Sequence, residues 1–503
     1  MCGIAGFCNF NENFEENTDY WNFRLEKMRA VLAHRGNDAR GRFLKKHIGL
    51  SHSRLAIRDI LCGDQPMTRT HNGYDYTICY NGEIYNTDEL IPELTEHGFV
   101  CSTTSDTEGI LYAYIHWGAD IVSRLNGNFA FAIWDAAKNR LLLYRDRVGV
   151  KPLFYAIRGD SLVFGSEPKA CFAHPAVKPE LDKQGLQELL AIGPAHTSGL
   201  SLFKDLFEVL PGHFMIYSRD GLHDETYWEL TSREHTDSYR DTVAHTRFLV
   251  EDAIKRQMVS DVPVCTFLSG GIDSSIVTAI AANYMNTRGK TLNTFSFDFK
   301  DNDRYFKANA FQPERDLPYV NRMLEEYETA HSYLECDENA LFKALFAAVD
   351  AKDMPGMTDV DSSLLYFCSL VSRKNKVALT GECADEIFGG YPWFYRKELL
   401  ERYGFPWSSD VAPRLALLRD DVGSELDLSG YQAFRYEESR SKAPLLYGET
   451  GEDESRRIIG YLNIKWFMQT LLDRMDRTSM YSELEARVPF ADHRIIEYVF
   501  NVP

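Results

Sequence analysis

A short apolar strand over 262–268 runs into Ser269-Gly270-Gly271-Ile272-Asp273-Ser274-Ser275 and then into a helical pattern over 275–284, and no other feature of the chain restricts its fold as much. Strand, glycine turn and helix in that order build parallel α/β domains, and the turn gathers backbone N–H groups and hydroxyls at a helix N-terminus, a place that takes anions. The turn lacks the lysine of a GxxxxGK[ST] loop, and a plain loop would also carry these residues. Two further strand candidates, 293–299 and 376–380, support a parallel sheet, and the chain beyond about 395 is mostly helical in pattern. The first half reads differently. Short β-type runs at 76–80, 129–134, 140–144, 153–157 and 214–217 are separated by Gly, Asn and Asp turns, with helical patterns at 21–33, 87–97, 107–118 and 183–192. The expectation is an α+β domain of stacked antiparallel sheets with flanking helices over 1–228, a polar linker over 229–238, and an α/β domain with a parallel sheet and a helical tail over 239–503.

Bulk properties narrow the function. A chain of 503 residues exceeds one ordinary core, which favours two domains, and 44% apolar with 26% charged residues is the composition of a globular protein. The formal charge of −19, with no basic patch, argues against nucleic acid and anionic membranes and for small-molecule chemistry. Ten cysteines show no CxxC pair, the N-terminus has no basic-then-apolar leader, and no apolar run reaches the length of a membrane span, so a reducing cytoplasm is expected.

Cys2 follows the initiator methionine, and its small side chain normally permits methionine removal, which leaves a thiol beside a free α-amine. A terminal amine titrates near neutrality, so it takes the thiol proton directly or through water without a histidine base. On its own such a cysteine is incidental. Here it opens an ordered series: Cys2-Gly3-Ile4-Ala5-Gly6-Phe7, His34-Arg35-Gly36, Ser53-Arg54-Leu55-Ala56-Ile57, Tyr80-Asn81-Gly82-Glu83-Ile84-Tyr85-Asn86, Ser105-Asp106-Thr107-Glu108 and Arg145-Asp146-Arg147-Val148-Gly149-Val150-Lys151-Pro152-Leu153. The series resembles class II, N-terminal-nucleophile glutamine amidotransferases. The resemblance implies that Arg54 pairs bidentately with the glutamine α-carboxylate and Asp106 with its α-ammonium, that the Asn81 amide and Gly82 N–H form an oxyanion hole, and that the adjacent Glu83 belongs to the glutamine site. Outside the series, Asn81-Gly82 would suit a type I′ hairpin turn, and Arg54 or Asp106 a solvated surface charge. Where the family usually has Arg-Gly-Pro-Asp, this chain has Arg35-Gly36-Asn37-Asp38, which predicts a more flexible loop.

The later motifs resemble a second family. The Ser269 turn is similar to the PP-loop of ATP pyrophosphatases, and Thr380-Gly381-Glu382-Cys383-Ala384-Asp385-Glu386-Ile387-Phe388-Gly389-Gly390-Tyr391 resembles the asparagine synthetase motif that usually runs Ser-Gly-Glu-Gly-(Ser/Ala)-Asp-Glu. The resemblance implies an ATP site made by Leu268, Ser269, Gly270, Gly271, Asp273, Ser274, Ser275, Phe297, Thr380 and Gly381. It also implies Mg²⁺ held by Asp273 and Asp385, and Glu382 positioning the acyl acceptor or shuttling a proton. Cys383 stands where the family commonly has glycine, and Thr380 where it has serine. Leu472-Asp473-Arg474-Met475-Asp476-Arg477-Thr478-Ser479-Met480 and Glu485-Ala486-Arg487-Val488-Pro489-Phe490-Ala491-Asp492 also match; their charges either recognise a substrate amino acid or organise the core as ion pairs.

The family resemblance implies glutamine hydrolysis at Cys2, passage of ammonia between apolar domain surfaces, and its attack on an aspartyl-adenylate made from aspartate and ATP. Another carboxylate acceptor, or a regulatory glutamine-binding protein, would use some of the same motifs. The resemblance also allows a homodimer. It further implies a synthetase domain incomplete at Pro503, because similar proteins continue with a lysine-containing motif that stabilises phosphate charge. On that expectation glutamine hydrolysis outlasts ATP-dependent synthesis.

Overall fold

Alternation along the chain decides the first half. In a computed structural model that describes residues 2–308, 314–408 and 410–503, runs such as Asn128-Phe129-Ala130-Phe131-Ala132-Ile133 send successive side chains to opposite faces, and both faces are buried. Twelve strands result: β1 (Cys2–Asn9), β2 (Ala39–Lys45), β3 (Ile48–Arg54), β4 (Met67–His71), β5 (Tyr74–Ile84), β6 (Gly127–Asp135), β7 (Arg140–Arg145), β8 (Phe154–Arg158), β9 (Ser161–Gly165), β10 (Phe207–Glu208), β11 (His213–Ser218) and β12 (Gly221–Thr226). They make two antiparallel sheets, ordered β10-β8-β9-β1-β3-β2 and β12-β11-β7-β6-β5-β4. Ile4 and Leu50 of the first sheet and Cys79, Ala132, Leu141 and Leu143 of the second fill the space between them. Helix Thr18–Ala30 covers the outer face of the first sheet through Trp21, Leu25 and Met28 against Ala5 and Phe7. Helices Thr87–Glu96 and Asp106–Trp117 cover the second through Leu90, Leu94, Ile110 and Leu111. Each such side chain contributes roughly 1.5–3 kcal/mol on leaving water. The layering is helix, sheet, sheet, helix, as the sequence led us to expect.

The second half builds one parallel sheet around two short, largely apolar and buried central strands, Val264–Phe267 and Val377–Leu379. The order is β15 (Thr329–Cys336), β14 (Leu292–Phe299), β13 (Val264–Phe267), β16 (Val377–Leu379) and β17 (Glu485–Arg487). β13, β14 and β16 were expected; β15 and β17 were not. Helices follow from Lys397 onward, interrupted by β17. The 229–238 segment has no regular structure, yet it is anchored, since Arg233 N–H donates to Asn501 Oδ1 at 2.7 Å. Among the described residues no helix is long and apolar enough to cross a membrane, and the fate of Met1 lies outside the described residues.

The two halves meet over one continuous apolar core, in which Leu55, Ile57, Val148 and Val150 join Met480, Ala486 and Val488. Buried ion pairs are set into this seam. Arg35 binds Glu167 at 2.9 Å and Asp476 at 2.8 Å, Lys151 binds Asp476 at 3.1 Å, and Arg477 lies 3.5 Å from Glu167. Burial alone would raise the Asp476 carboxyl, but Arg35 and Lys151 hold it below the usual carboxylate range. Of the two readings open for the Asp476 and Arg477 charges, the structure therefore has the ion pairs. Asn37 does not loosen its loop either: the next residue, Asp38, accepts from Ala56 N–H at 2.7 Å and pairs with Lys376 at 2.7 Å.

A second buried pair gives the first domain a pH signature. His196 Nε2 lies 2.9 Å from Glu208 Oε1, while Arg145 holds the other oxygen of Glu208 at 2.8 Å. Against the pull of burial, Glu208 raises His196 to about 9, and His196 with Arg145 lowers Glu208 to about 2. A histidine raised on folding stabilises fully below its unfolded value of 6.5 and loses that contribution as pH climbs through 9. The lowered Glu208 acts oppositely, its contribution being complete above 4.5 and lost as pH falls towards 2. We expect melting temperature to fall between pH 6.5 and 9.5, with the His196 share worth about 3 kcal/mol at most. His196→Gln should flatten that limb, as followed by thermal melts across pH.

Candidate active sites

The start of β1 and the end of β5 create the first site. Cys2 pairs in register with Arg54 of β3, and its backbone N–H donates to Asn81 Oδ1 at 2.9 Å. That nitrogen becomes the α-amine once methionine is removed. Cys2 is 7% exposed, and burial pushes its thiol up, so an adjacent base has work to do. Because Asn81 uses its oxygen on Cys2, its Nδ2 is left buried with no partner, a donor aimed at nothing in the protein.

Gly82 completes the arrangement. Its opposite number on β6, Phe129, directs N–H to Asp146 Oδ2 and its carbonyl to Asp146 N–H, away from Gly82. On the free edge of β5, Tyr80 N–H goes to Gln65 Oε1 at 2.6 Å and Ile84 N–H to Asp106 Oδ2 at 3.0 Å. Strand alternation puts the Gly82 N–H on that same edge, between them. A Cβ at Gly82 would stand 2.3 Å from Asn128 O, so only glycine fits. Asn81 and Gly82 thus lie inside a strand, and the hairpin-turn alternative does not hold.

Arg54 and Asp106 are each 5% exposed, which removes the solvated-charge alternative as well. Arg54 directs its terminal N–H groups to the carbonyls of Arg58, Asp59 and Ile60 and to Asp64 Oδ1 at 2.9 Å. The fork expected to be open for a substrate is already filled, and its anionic partner is the exposed carboxylate of Asp64. Across the site, Arg58 Nη1 binds Glu83 Oε1 at 2.8 Å and Ile84 O at 3.3 Å, with Asp106 close enough to stabilise its charge. Burial and Asp106 raise the Glu83 carboxyl, while Arg487 and Arg58 pull it down. The segment carrying Arg58 and Asp64 therefore offers a cation to Glu83 and Asp106 and an anion to Arg54, the two charges of an amino acid's α-carbon. Neither Arg58 nor Arg487 was foreseen as part of this site: Arg58 has no local signature, and Arg487 lies in a string that matched the second family without pointing to the first site.

The second site lies at the carboxyl edge of the parallel sheet. Leu268 N–H donates to Phe295 O at 2.8 Å and ends β13, after which Gly270, at φ +89, turns the chain into helix Ile272–Asn286. The turn is tied by Ser274, whose hydroxyl lies 3.0 Å from Ser269 Oγ and donates to Gly271 O at 3.1 Å. The residue before the helix, Gly271, has no side chain to cap it, and the Asp273 carboxyl instead takes hydrogen bonds from the first-turn N–H groups of Asp273 and Ser274. Thr380-Gly381 closes against this turn: a Cβ at Gly381 would meet Asp273 Oδ2 at 2.5 Å and Ser274 N at 2.9 Å. Asp273 and Asp385 line a cavity of about 810 Å³. Burial raises both carboxyls, and Asp385 is raised further by Asp273 and Glu382. Two carboxylates that repel across a cavity are a fit for a divalent cation.

Glu382, near both carboxylates, pairs with Arg474 at 2.8 Å, and burial holds its carboxyl up against that pull. Leu268 and Thr380 are buried and Phe297 half-buried, against Phe367. Ser275 begins the second turn of the helix, its N–H bonded to Gly271 O. Cys383 takes φ +78, the left-handed conformation that a glycine would adopt without strain. The departure from the motif leaves the turn intact, at a local cost of roughly 1–2 kcal/mol.

A cysteine on the first strand of a two-sheet sandwich, joined to a serine-glycine turn in a parallel sheet, has the architecture of a two-domain amidotransferase. The family model described as "Glutamine amidotransferase domain" matches residues 1–228, and that described as "Asparagine synthase" matches residues 245–503. Asparagine synthetase (glutamine-hydrolyzing) 3 of Bacillus subtilis is 48% identical over 504 residues, covering 100% of this chain and 81% of that protein. Amidase chyE of Penicillium rubens is 30% identical over 567 residues, covering 100% of this chain and 82% of that protein. The chain belongs to the glutamine-hydrolysing asparagine synthetase family.

Proposed function

We propose that the protein makes asparagine from aspartate and ATP with glutamine as nitrogen donor, releasing glutamate, AMP and pyrophosphate. The observation that carries this reading is the pairing of Cys2 with Asn81, which leaves one buried amide N–H donor without a partner beside a nucleophile. In the first site the α-amine of Cys2 takes the thiol proton, sulfur attacks the glutamine amide carbon, and the oxyanion forms against Asn81 Nδ2 and Gly82 N–H. The glutamine head group enters by taking the places of Arg58 and Asp64: its ammonium meets Glu83 and Asp106, and its carboxylate meets Arg54. The α-ammonium returns that proton to the departing nitrogen as the C–N bond breaks, ammonia leaves, and water releases glutamate from the thioester.

In the second site Ser269, Gly270, Gly271, Ser274 and Ser275 receive the β- and γ-phosphates at the helix N-terminus. Leu268, Phe297, Thr380 and Gly381 enclose the adenosine. Mg²⁺ held by Asp273 and Asp385 would neutralise phosphate charge. The aspartate side-chain carboxylate attacks the α-phosphate and pyrophosphate departs. Ammonia then displaces AMP, with Glu382, held by Arg474, as the nearby proton acceptor. The apolar seam through Leu55, Val148, Ala486 and Val488 keeps the route between sites dry enough to leave ammonia unprotonated. Among the described residues all nine other cysteines and Cys2 are free thiols, in keeping with a reducing cytoplasm.

Incubation with amide-¹⁵N glutamine, aspartate, ATP and Mg²⁺ tests the reaction: labelled asparagine and pyrophosphate should appear together, and pyrophosphate without asparagine would overturn the choice of acceptor. The match of the whole chain to 82% of an amidase favours a second reading, amidation of another carboxylate, which a panel of carboxylic acids in the same assay resolves.

Asn81→Ala supplies a sharper test of the first site. We expect kcat for glutamate release to fall on the order of 10²–10³-fold with KM little changed, as for loss of one oxyanion donor. Steady-state kinetics that showed a rise in KM alone would move Asn81 from transition-state stabilisation to ground-state binding.

A further inference from the structure

β17 is three residues long, yet it touches both sites. Its backbone closes the edge of the parallel sheet, with Leu379 opposite Arg487. Immediately beyond, the Arg487 carbonyl accepts from Thr380 N–H at 3.0 Å and from the Thr380 hydroxyl at 3.3 Å, which fixes the turn Thr380-Gly381-Glu382 at the second site. The Arg487 side chain runs the other way, into the first domain. Its Nη2 lies 3.3 Å from Glu83 Oε2, its Nε 2.5 Å from Glu485 Oε1, and its Nη1 donates to the carbonyls of Gln257 at 2.6 Å and Val259 at 2.5 Å. Arg487 is 1% exposed and Glu83 4%. Glu83 is consequently shared between two guanidiniums, Arg58 from its own domain and Arg487 from the other.

We propose that Arg487 is a positioning residue for both sites, one side of it setting where the Glu83 carboxylate stands and the other holding the Thr380 turn. The proposal rests on the reading above for where glutamine and nucleotide bind. A glutamine ammonium arriving at Glu83 competes with both guanidiniums. Weakening the Glu83–Arg487 contact, the longest of the four that hold the guanidinium, re-aims a side chain still anchored by Glu485, Gln257 and Val259 and whose main chain carries the Thr380 turn; conversely, a nucleotide pressing on that turn shifts Arg487 and with it Glu83. Planar, five-pronged and buried, the guanidinium fixes the direction of each of its contacts, so a shift at one of them is felt at the others. Linkage makes the effect reciprocal: whatever ATP and aspartate do to glutamine binding, glutamine does to theirs. Glutamine hydrolysis is thereby matched to an occupied second site.

Arg487→Lys keeps the charge and loses the fork. Glutamate release is measured as a function of glutamine, with and without ATP plus aspartate, and glutamate formed is compared with pyrophosphate released. The wild type should show at least about a fivefold fall in glutamine KM on adding ATP and aspartate. In Arg487→Lys the two KM values should coincide and the glutamate-to-pyrophosphate ratio should rise several-fold, while pyrophosphate release driven by ammonium chloride persists. A variant whose KM still responds as in the wild type overturns the proposal, and so does a wild type that performs both reactions with no KM response. Proportional loss of both activities with a lowered melting temperature, the mark of a purely structural residue, also overturns it. If Arg487→Lys does not fold, Glu83→Gln decides from the other end: the response must vanish there too, and its persistence refutes the coupling. A wild type that releases no glutamate from glutamine defeats the proposed function and this inference together.

Discussion

Cys2→Ala should lose glutamine-driven asparagine formation by on the order of 10⁴-fold or more, because no other group in the first site can form the thioester. Ammonium chloride in place of glutamine should restore synthesis to near the wild-type rate, since the second site contains no part of Cys2. Asn81 Oδ1 receives the backbone N–H of residue 2, not its sulfur, so the substitution leaves the oxyanion donors standing. Parallel assays of asparagine with each nitrogen source check this directly. A variant that fails with both sources would mean that Cys2 serves the fold or the seam rather than the chemistry.

The second large effect belongs to Asp385. Asp385→Asn should depress pyrophosphate release by about 10²–10³-fold through loss of a ligand to the cation that neutralises phosphate charge, with glutamate release from glutamine unchanged. Its effect on stability has the opposite sign. Burial first, then Asp273 and Glu382, raise the Asp385 carboxyl, so an uncharged isostere relieves both the lost hydration and the repulsion and should leave the apo protein at least as stable as the wild type. Thermal melts and pyrophosphate assays on one preparation separate the two. A destabilised Asp385→Asn with full activity would remove Asp385 from the cation site.

Much of this was legible before the structure, and the reason is local. Cys2, the Ser269 turn and the Thr380-Gly381-Glu382 turn are short contiguous strings whose chemistry is written in neighbouring residues, and alternation or helical periodicity marks the elements around them. The missing parts are long-range. Arg487 meets Glu83 across 404 positions and Arg35 meets Asp476 across 441, separations over which no pattern in the chain carries information. β17 escaped because three residues cannot show a period, and β15 because its alternation, largely half-exposed, resembles a loop. Arg54 shows the other limit: its identity was readable, but its engagement by the 58–64 segment depends on how that segment folds back.

Arg35 has a bearing on how this protein can be dissected. Its Nε donates to the Cys2 carbonyl at 3.0 Å, and the same guanidinium is gripped by Glu167 on one side and by Asp476 of the other domain on the second. The reactive sulfur is thus moored, at one remove, to a helix several hundred residues downstream. Severed from that helix, the N-terminal sandwich would keep its nucleophile but lose half the anchorage of the arginine that holds it, so the catalytic thiol is better regarded as shared property of the assembled chain than as the possession of its first domain.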